Sequence, residues 1–110
     1  MIRLLIADDE KLEREALADM VSRRFEHEVV LELAENGRKA ADTAVLWGAD
    51  LILMDIEMPG TNGIDAAEQI RKRDAQVVIM FITNMAHYAI KGYEVGALDF
   101  VLKPIQYLNF

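Results

Sequence analysis

The sequence predicts an α/β fold, an open parallel sheet with helices on both faces. Two observations carry that expectation. Short apolar runs alternate with stretches of helical spacing, and this alternation winds a parallel sheet. In addition, four of the five apolar runs end on polar residues suited to chemistry, namely Asp8-Asp9, Asp55, Thr83 and Lys103. Ligands of an open α/β sheet bind at the carboxyl ends of its strands.

The first run, Ile2 to Ala7, is broken only by Arg3 and stops at Asp8-Asp9-Glu10. Such an apolar run suggests a strand covered on both faces. From Lys11 to Phe25 the period changes. Leu12, Ala16, Leu17, Met20, Val21 and Phe25 form one helical stripe, with Glu13, Arg14, Arg23 and Arg24 largely outside it. Val29 to Ala34 reads as the second strand, and Asn36-Gly37 as a turn or helix start. Lys39 to Trp47 suits a helix, with Gly48 as its stop.

Leu51 to Met54 is the third strand, ending at Asp55. Met58-Pro59-Gly60-Thr61-Asn62-Gly63 is rich in turn residues, and Ile64, Ala67, Ile70 and Arg71 follow at helical spacing. Val77 to Ile82 is the fourth strand, ending at Thr83-Asn84. Tyr88 to Val95 suits a short helix stopped by Gly96, and Phe100-Val101-Leu102 is the fifth strand, ending at Lys103-Pro104. The second strand ends at Glu35, to which no role is assigned.

Composition narrows the function. The 110 residues are 53% hydrophobic, enough for one domain, 1–110, with its own core. A formal charge of −7 repels a phosphate backbone on average, so no direct nucleic acid contact is expected of this domain. The absence of cysteine excludes disulfides, thiol catalysis and thiolate metal sites. The two histidines, His27 and His87, are too few for a zinc cluster. No apolar run approaches the ~20 residues that span a bilayer. The start lacks a signal-peptide pattern, so no membrane role and a cytoplasmic location are expected.

Three carboxylates at one sheet edge repel one another, by about 4 kcal/mol for a pair ~4 Å apart at an effective dielectric of ~20. A hard divalent cation is the usual compensation, and Mg²⁺ takes one or two carboxylates plus water and phosphate oxygens. With the Lys103 ammonium and the Thr83 hydroxyl, these are the parts needed to place a phosphoryl group on a carboxylate.

At these residues the chain resembles response-regulator receiver domains. That family has an acidic pair after the first strand, a phospho-accepting Asp after the third, Ser or Thr after the fourth, and Lys-Pro after the fifth. The matching segments are Ala7-Asp8-Asp9-Glu10, Met54-Asp55-Ile56-Glu57-Met58-Pro59-Gly60, Ile82-Thr83-Asn84 and Leu102-Lys103-Pro104. The resemblance implies a flavodoxin-like doubly wound sheet of five strands in the order 2-1-3-4-5. It makes Asp55 the acceptor from a sensor histidine kinase. It makes Asp9 a direct Mg²⁺ ligand, Asp8 a ligand through water, and the Glu57 backbone carbonyl the third protein ligand. Thr83 and Lys103 would hold the phosphoryl oxygens, Lys103-Pro104 would be cis, and Phe100 would be the switch aromatic. Phe81 to Tyr93 and Ala97 to Ile105 further resemble receivers joined to LytTR-type DNA-binding domains, an output absent from these residues.

Plainer readings stand beside each feature. Asp8-Asp9 alone suits a helix start, Met58-Pro59-Gly60 a turn, Thr83 a strand residue, and Phe100, Trp47 and Phe25 core aromatics. Two other functions compete. One is a phosphorylation-independent interaction module with a receiver fold, which would normally lack the acceptor or the Lys. The other is a Mg²⁺-dependent aspartyl-phosphate hydrolase, whose motif is not met at Glu57 and Pro59. Autocatalytic phosphorylation and dephosphorylation are expected, not turnover of a separate substrate.

The resemblance also implies a fifth helix after Lys103-Pro104. Only Ile105-Gln106-Tyr107-Leu108-Asn109-Phe110 follow, about one and a half helical turns. The helix is therefore expected to be truncated or missing and the chain to be a fragment or a natural variant. A homodimer through Ile105, Tyr107, Leu108 and Phe110 is expected to cover the sheet face, with a monomer whose tail folds back as the alternative.

Overall fold

A computed structural model describes residues 1–83 and 99–102, with the backbone alone for residues 83 and 99–102. The elements are β1 (Ile2–Ala7), α1 (Lys11–Arg24), β2 (Val29–Ala34), α2 (Gly37–Thr43), a π turn (Ala44–Gly48), β3 (Leu51–Asp55), α3 (Gly63–Arg73), β4 (Val78–Thr83) and β5 (Asp99–Leu102). The strands β2-β1-β3-β4 lie side by side in that order and all run parallel, with the β5 backbone beside β4. The central runs are continuously apolar because both faces of the sheet are covered. Leu5, Ala7, Ile52, Met54, Ile79 and Phe81 face α2 and α3, whereas Leu4, Ile6, Leu53 and Ile82 face α1.

Several sequence expectations change. The stripe on α1 is narrower than its spacing suggested, since Leu17 and Val21 are buried but Leu12 is 81% exposed and Ala16 also faces outward. The inward face is carried by Leu17 and Val21 with Ala18, Met20 and Phe25 packed around them. Burying Leu17 and Val21 contributes about 1.5–3 kcal/mol apiece. Phe25 and Trp47, expected as core aromatics, are half-buried at the core margin. The second helix starts at Gly37 rather than Lys39, because the Asn36 side chain caps the Lys39 N–H at 2.8 Å. It leaves α geometry at Ala44, and Gly48, at φ 77°, stops it as expected.

The third strand includes Asp55 itself, and the fourth runs from Val78 to Thr83, one residue later than expected at each end. The helix at Tyr88–Val95, the cis Lys103-Pro104 bond, the fifth helix and the contacts of Ile105, Tyr107, Leu108 and Phe110 lie outside the described residues. Among the described residues no helix is long and apolar enough to cross a membrane.

Candidate functional site

The register decides which acids meet. Ala7 pairs with Met54, so Asp8 and Asp55 come off neighbouring strands side by side. Both acids make the same local bond. The Asp8 Oδ1 accepts the Glu10 N–H at 2.9 Å, and the Asp55 Oδ1 accepts the Glu57 N–H at 3.2 Å. These are Asx turns, which bend the chain sharply out of a strand. Asp8 is further anchored through its backbone, its N–H donating to the Ala34 carbonyl at 3.1 Å.

Asp8, Asp9 and Asp55 each bring a carboxylate oxygen within 4.8 Å of the others. Asp8 and Asp55 are buried, at 1% and 6% exposure, whereas Asp9 is open to solvent. A pair of carboxylates at that separation repels by about 3 kcal/mol at an effective dielectric of ~20, and solvent screens Asp9 further. The donor set fits a hard divalent cation. Oxygens sharing one octahedral Mg²⁺ at ~2.1 Å stand at most ~4.2 Å apart, so the trio is close enough to surround one ion, with carboxylates binding it directly or through water. A groove of about 580 Å³ opens beside the acids between Asp9, Asn36, Arg38 and Thr61, with Glu35 on its wall.

The β3–α3 loop is held close to the site. The Gly63 N–H donates to the Ile56 carbonyl at 2.8 Å, and a Cβ on Gly63 would meet the Asp55 carbonyl oxygen at 2.3 Å and the Ile56 Cα at 2.8 Å. On its other side a Cβ on Gly37 would meet the Thr61 carbonyl oxygen at 2.0 Å. Both α2 and α3 begin with an Asn cap followed by Gly. The Asn bonds the helix, and the Gly lets the loop from Asp55 to Asn62 lie between the two helix starts. The sequence offered Asn36-Gly37 as a turn or a helix start, and the structure shows the helix start, whereas it read Gly63 only as part of a turn-rich loop; the repeated Asn-Gly pair was the available signal. It also left Arg14 outside the apolar stripe with no further role, yet its Nη1 donates to the Asp8 carbonyl at 2.8 Å.

Of the expected site residues, Asp8, Asp9 and Asp55 come together, and Glu57 follows Asp55 in the same turn with its side chain exposed. Asp55 pairs in register with Ile82, so the Thr83 backbone lies one residue further along the neighbouring strand. Thr83 pairs with Leu102, the residue before Lys103, and Phe100 pairs with Phe81. The side chains of Thr83 and Phe100, and all of Lys103, lie outside the described residues.

Comparison with known proteins finds a match to the response regulator receiver domain over residues 4–109. The sensory transduction protein LytT of Bacillus subtilis is 38% identical over 94% of this chain, which covers 43% of that protein. The positive alginate biosynthesis regulatory protein of Pseudomonas aeruginosa is 32% identical over 96% of this chain, which covers 42% of it. The chain thus spans less than half the length of these relatives. Among solved structures, the response regulator domain of Thermotoga maritima CheB superposes with a TM-score of 0.85 at 33% identity, over 97% of this chain and 81% of that one.

Proposed function

The chain belongs to the response regulator receiver domain family, regulatory modules of two-component systems, and from that premise we propose that it accepts a phosphoryl group on Asp55 from a sensor histidine kinase. The observation that carries this reading is the convergence of Asp8, Asp9 and the buried Asp55 at the carboxyl ends of β1 and β3. Asp9, Asp55 and the Glu57 backbone carbonyl would hold Mg²⁺ directly, with Asp8 acting through water. The ion would offset the charge of the incoming phosphoryl oxygens.

The chain's own groups do the rest. An Asp55 oxygen attacks phosphorus in line with the leaving histidine nitrogen. The Asx turn fixes one Asp55 oxygen on the Glu57 N–H, which orients the carboxylate. The Thr83 hydroxyl and the Lys103 ammonium take the phosphoryl oxygens, and Phe100 reports their movement across the sheet edge. Such a domain catalyses its own phosphorylation and dephosphorylation without being an enzyme for a separate substrate. The five strands would form an open doubly wound sheet in the order 2-1-3-4-5, and a fifth helix would pack beside α1.

The similarity to LytT points to an output in transcription, through a LytTR-type DNA-binding domain lying outside this chain. This domain works in the cytoplasm, as a homodimer and without touching DNA itself. A receiver-fold interaction module that ignores phosphorylation is the competing function, and the three converged acids count against it. Treating the chain with acetyl phosphate and Mg²⁺ and mapping the adduct by mass spectrometry tests the proposal. A lasting phosphate on Asp55 supports it. An unmodified chain supports the interaction module, and fast multiple turnover supports a hydrolase.

A further inference from the structure

Among the described residues, Asp8 is anchored by three hydrogen bonds. Its N–H donates to the Ala34 carbonyl, its carboxylate accepts the Glu10 N–H, and its carbonyl accepts the Arg14 Nη1. The first two anchors belong to the sheet edge and to the acid itself. The Arg14 bond comes from a side chain outside the acidic trio, so a substitution can remove it without altering a carboxylate. The placement of Arg14 is notable on electrostatic grounds. It sits at the start of α1, where the helix dipole disfavours a cation, whereas Arg23 and Arg24 occupy the favourable last turn. The α1 N-cap, Glu10, makes no side-chain capping bond, so the β1–α1 turn relies on the Asp8 anchors.

We infer that Arg14 is a positioning residue for a divalent cation. By holding the Asp8 carbonyl, it keeps the Asp8-Asp9 turn in the shape that brings both carboxylates onto Asp55. This inference rests on the proposed Mg²⁺ site and adds a residue outside its ligand set. Charge alone predicts the opposite behaviour, because a guanidinium beside the turn repels a cation and its removal would tighten binding. The sign of the effect therefore separates positioning from electrostatics.

The test uses the full chain and two measurements, calorimetric titration with MgCl₂ and amide exchange of the metal-free protein by NMR. Arg14→Gln is expected to weaken Mg²⁺ binding about tenfold, the usual scale for losing a group that orients a metal ligand. In the absence of metal, exchange of the Glu10 N–H is expected to quicken by about tenfold, as its acceptor loosens. Arg14→Lys keeps the charge and a donor but loses the planar fork, and is expected to fall between the two. Equal or tighter Mg²⁺ binding by Arg14→Gln overturns the inference, whatever the exchange shows. Should Arg14→Gln not fold, parental affinity together with parental Glu10 exchange in Arg14→Lys overturns it. A parent chain that takes up no Mg²⁺ defeats the proposed function instead, and Glu10 exchange alone then decides the role of Arg14.

Discussion

At the amino ends of the strands, Arg3 and Asp50 tie β1 to β3. The Arg3 N–H donates to the Asp50 Oδ2 at 2.9 Å, and the Asp50 N–H returns to the Arg3 carbonyl at 2.8 Å. The Arg3 Nη1 takes the Trp47 carbonyl at 2.8 Å, and the Asp50 carbonyl accepts from Val78. Asp74 closes the α3–β4 turn by accepting the Gln76 and Val77 N–H groups. At the carboxyl ends, by contrast, three acids of one sign converge. Charged residues at the first end satisfy backbone groups, which is what stability asks of them. Those at the second end crowd like charges in a partly buried place, an arrangement that a bound cation would ease. The difference teaches where to look for function: at the end whose charges oppose the fold.

That contrast can be broken by substitution. Asp55→Asn should remove the acetyl-phosphate adduct completely by mass spectrometry while the chain still melts cooperatively; a phosphate on the variant at another site would displace Asp55 as acceptor. Asp9→Asn removes a metal ligand, which at several kcal/mol of lost stabilisation should slow phosphorylation roughly a hundredfold or more. Because it also relieves repulsion, its metal-free melting temperature should equal or exceed the parent's. A lower value would mean that Asp9 serves the fold.

Gly63→Ala forces a methyl against the Asp55 carbonyl and the Ile56 Cα, both backbone. Urea unfolding should show a loss of about 2–3 kcal/mol. Gly60→Ala is the companion measurement, because Gly60 has φ 73° but nothing within 4 Å of an added Cβ. It should lose only about 1 kcal/mol. Equal losses would mean that the close approach at Gly63 is easily relaxed. The smallest effect belongs to the amino end. Asp50→Ala deletes the acceptor of the Arg3 N–H and should cost about 1 kcal/mol in urea unfolding, with Asp55 phosphorylation unchanged. A change in phosphorylation rate there would join the two ends that the comparison keeps apart.

The sequence by itself determined the order of the described elements and the identity of the acids. Apolar runs and helical spacing are local properties, and each of these runs gives way to a polar residue at the sheet edge. The β1 boundary at Ala7 was legible in this way, whereas β3 runs one residue further than its apolar run and takes in Asp55. Tertiary structure decided what local pattern leaves open. Adjacent Asp8 and Asp9 look equivalent in sequence, yet Asp8 is buried by its bonds to Ala34, Glu10 and Arg14 while Asp9 faces solvent. Leu12 was read into one stripe with Leu17 and Val21, yet at about 100° per residue it lies roughly 140–180° around the helix from them and projects outward. Gly37 was legible as a helix start and Gly63 as a loop residue, but not that the two helix starts enclose one loop. Asp8 to Ala34 and Gly37 to Thr61 join residues far apart in the chain, and a periodicity measured along the chain carries no information about what lies across from it.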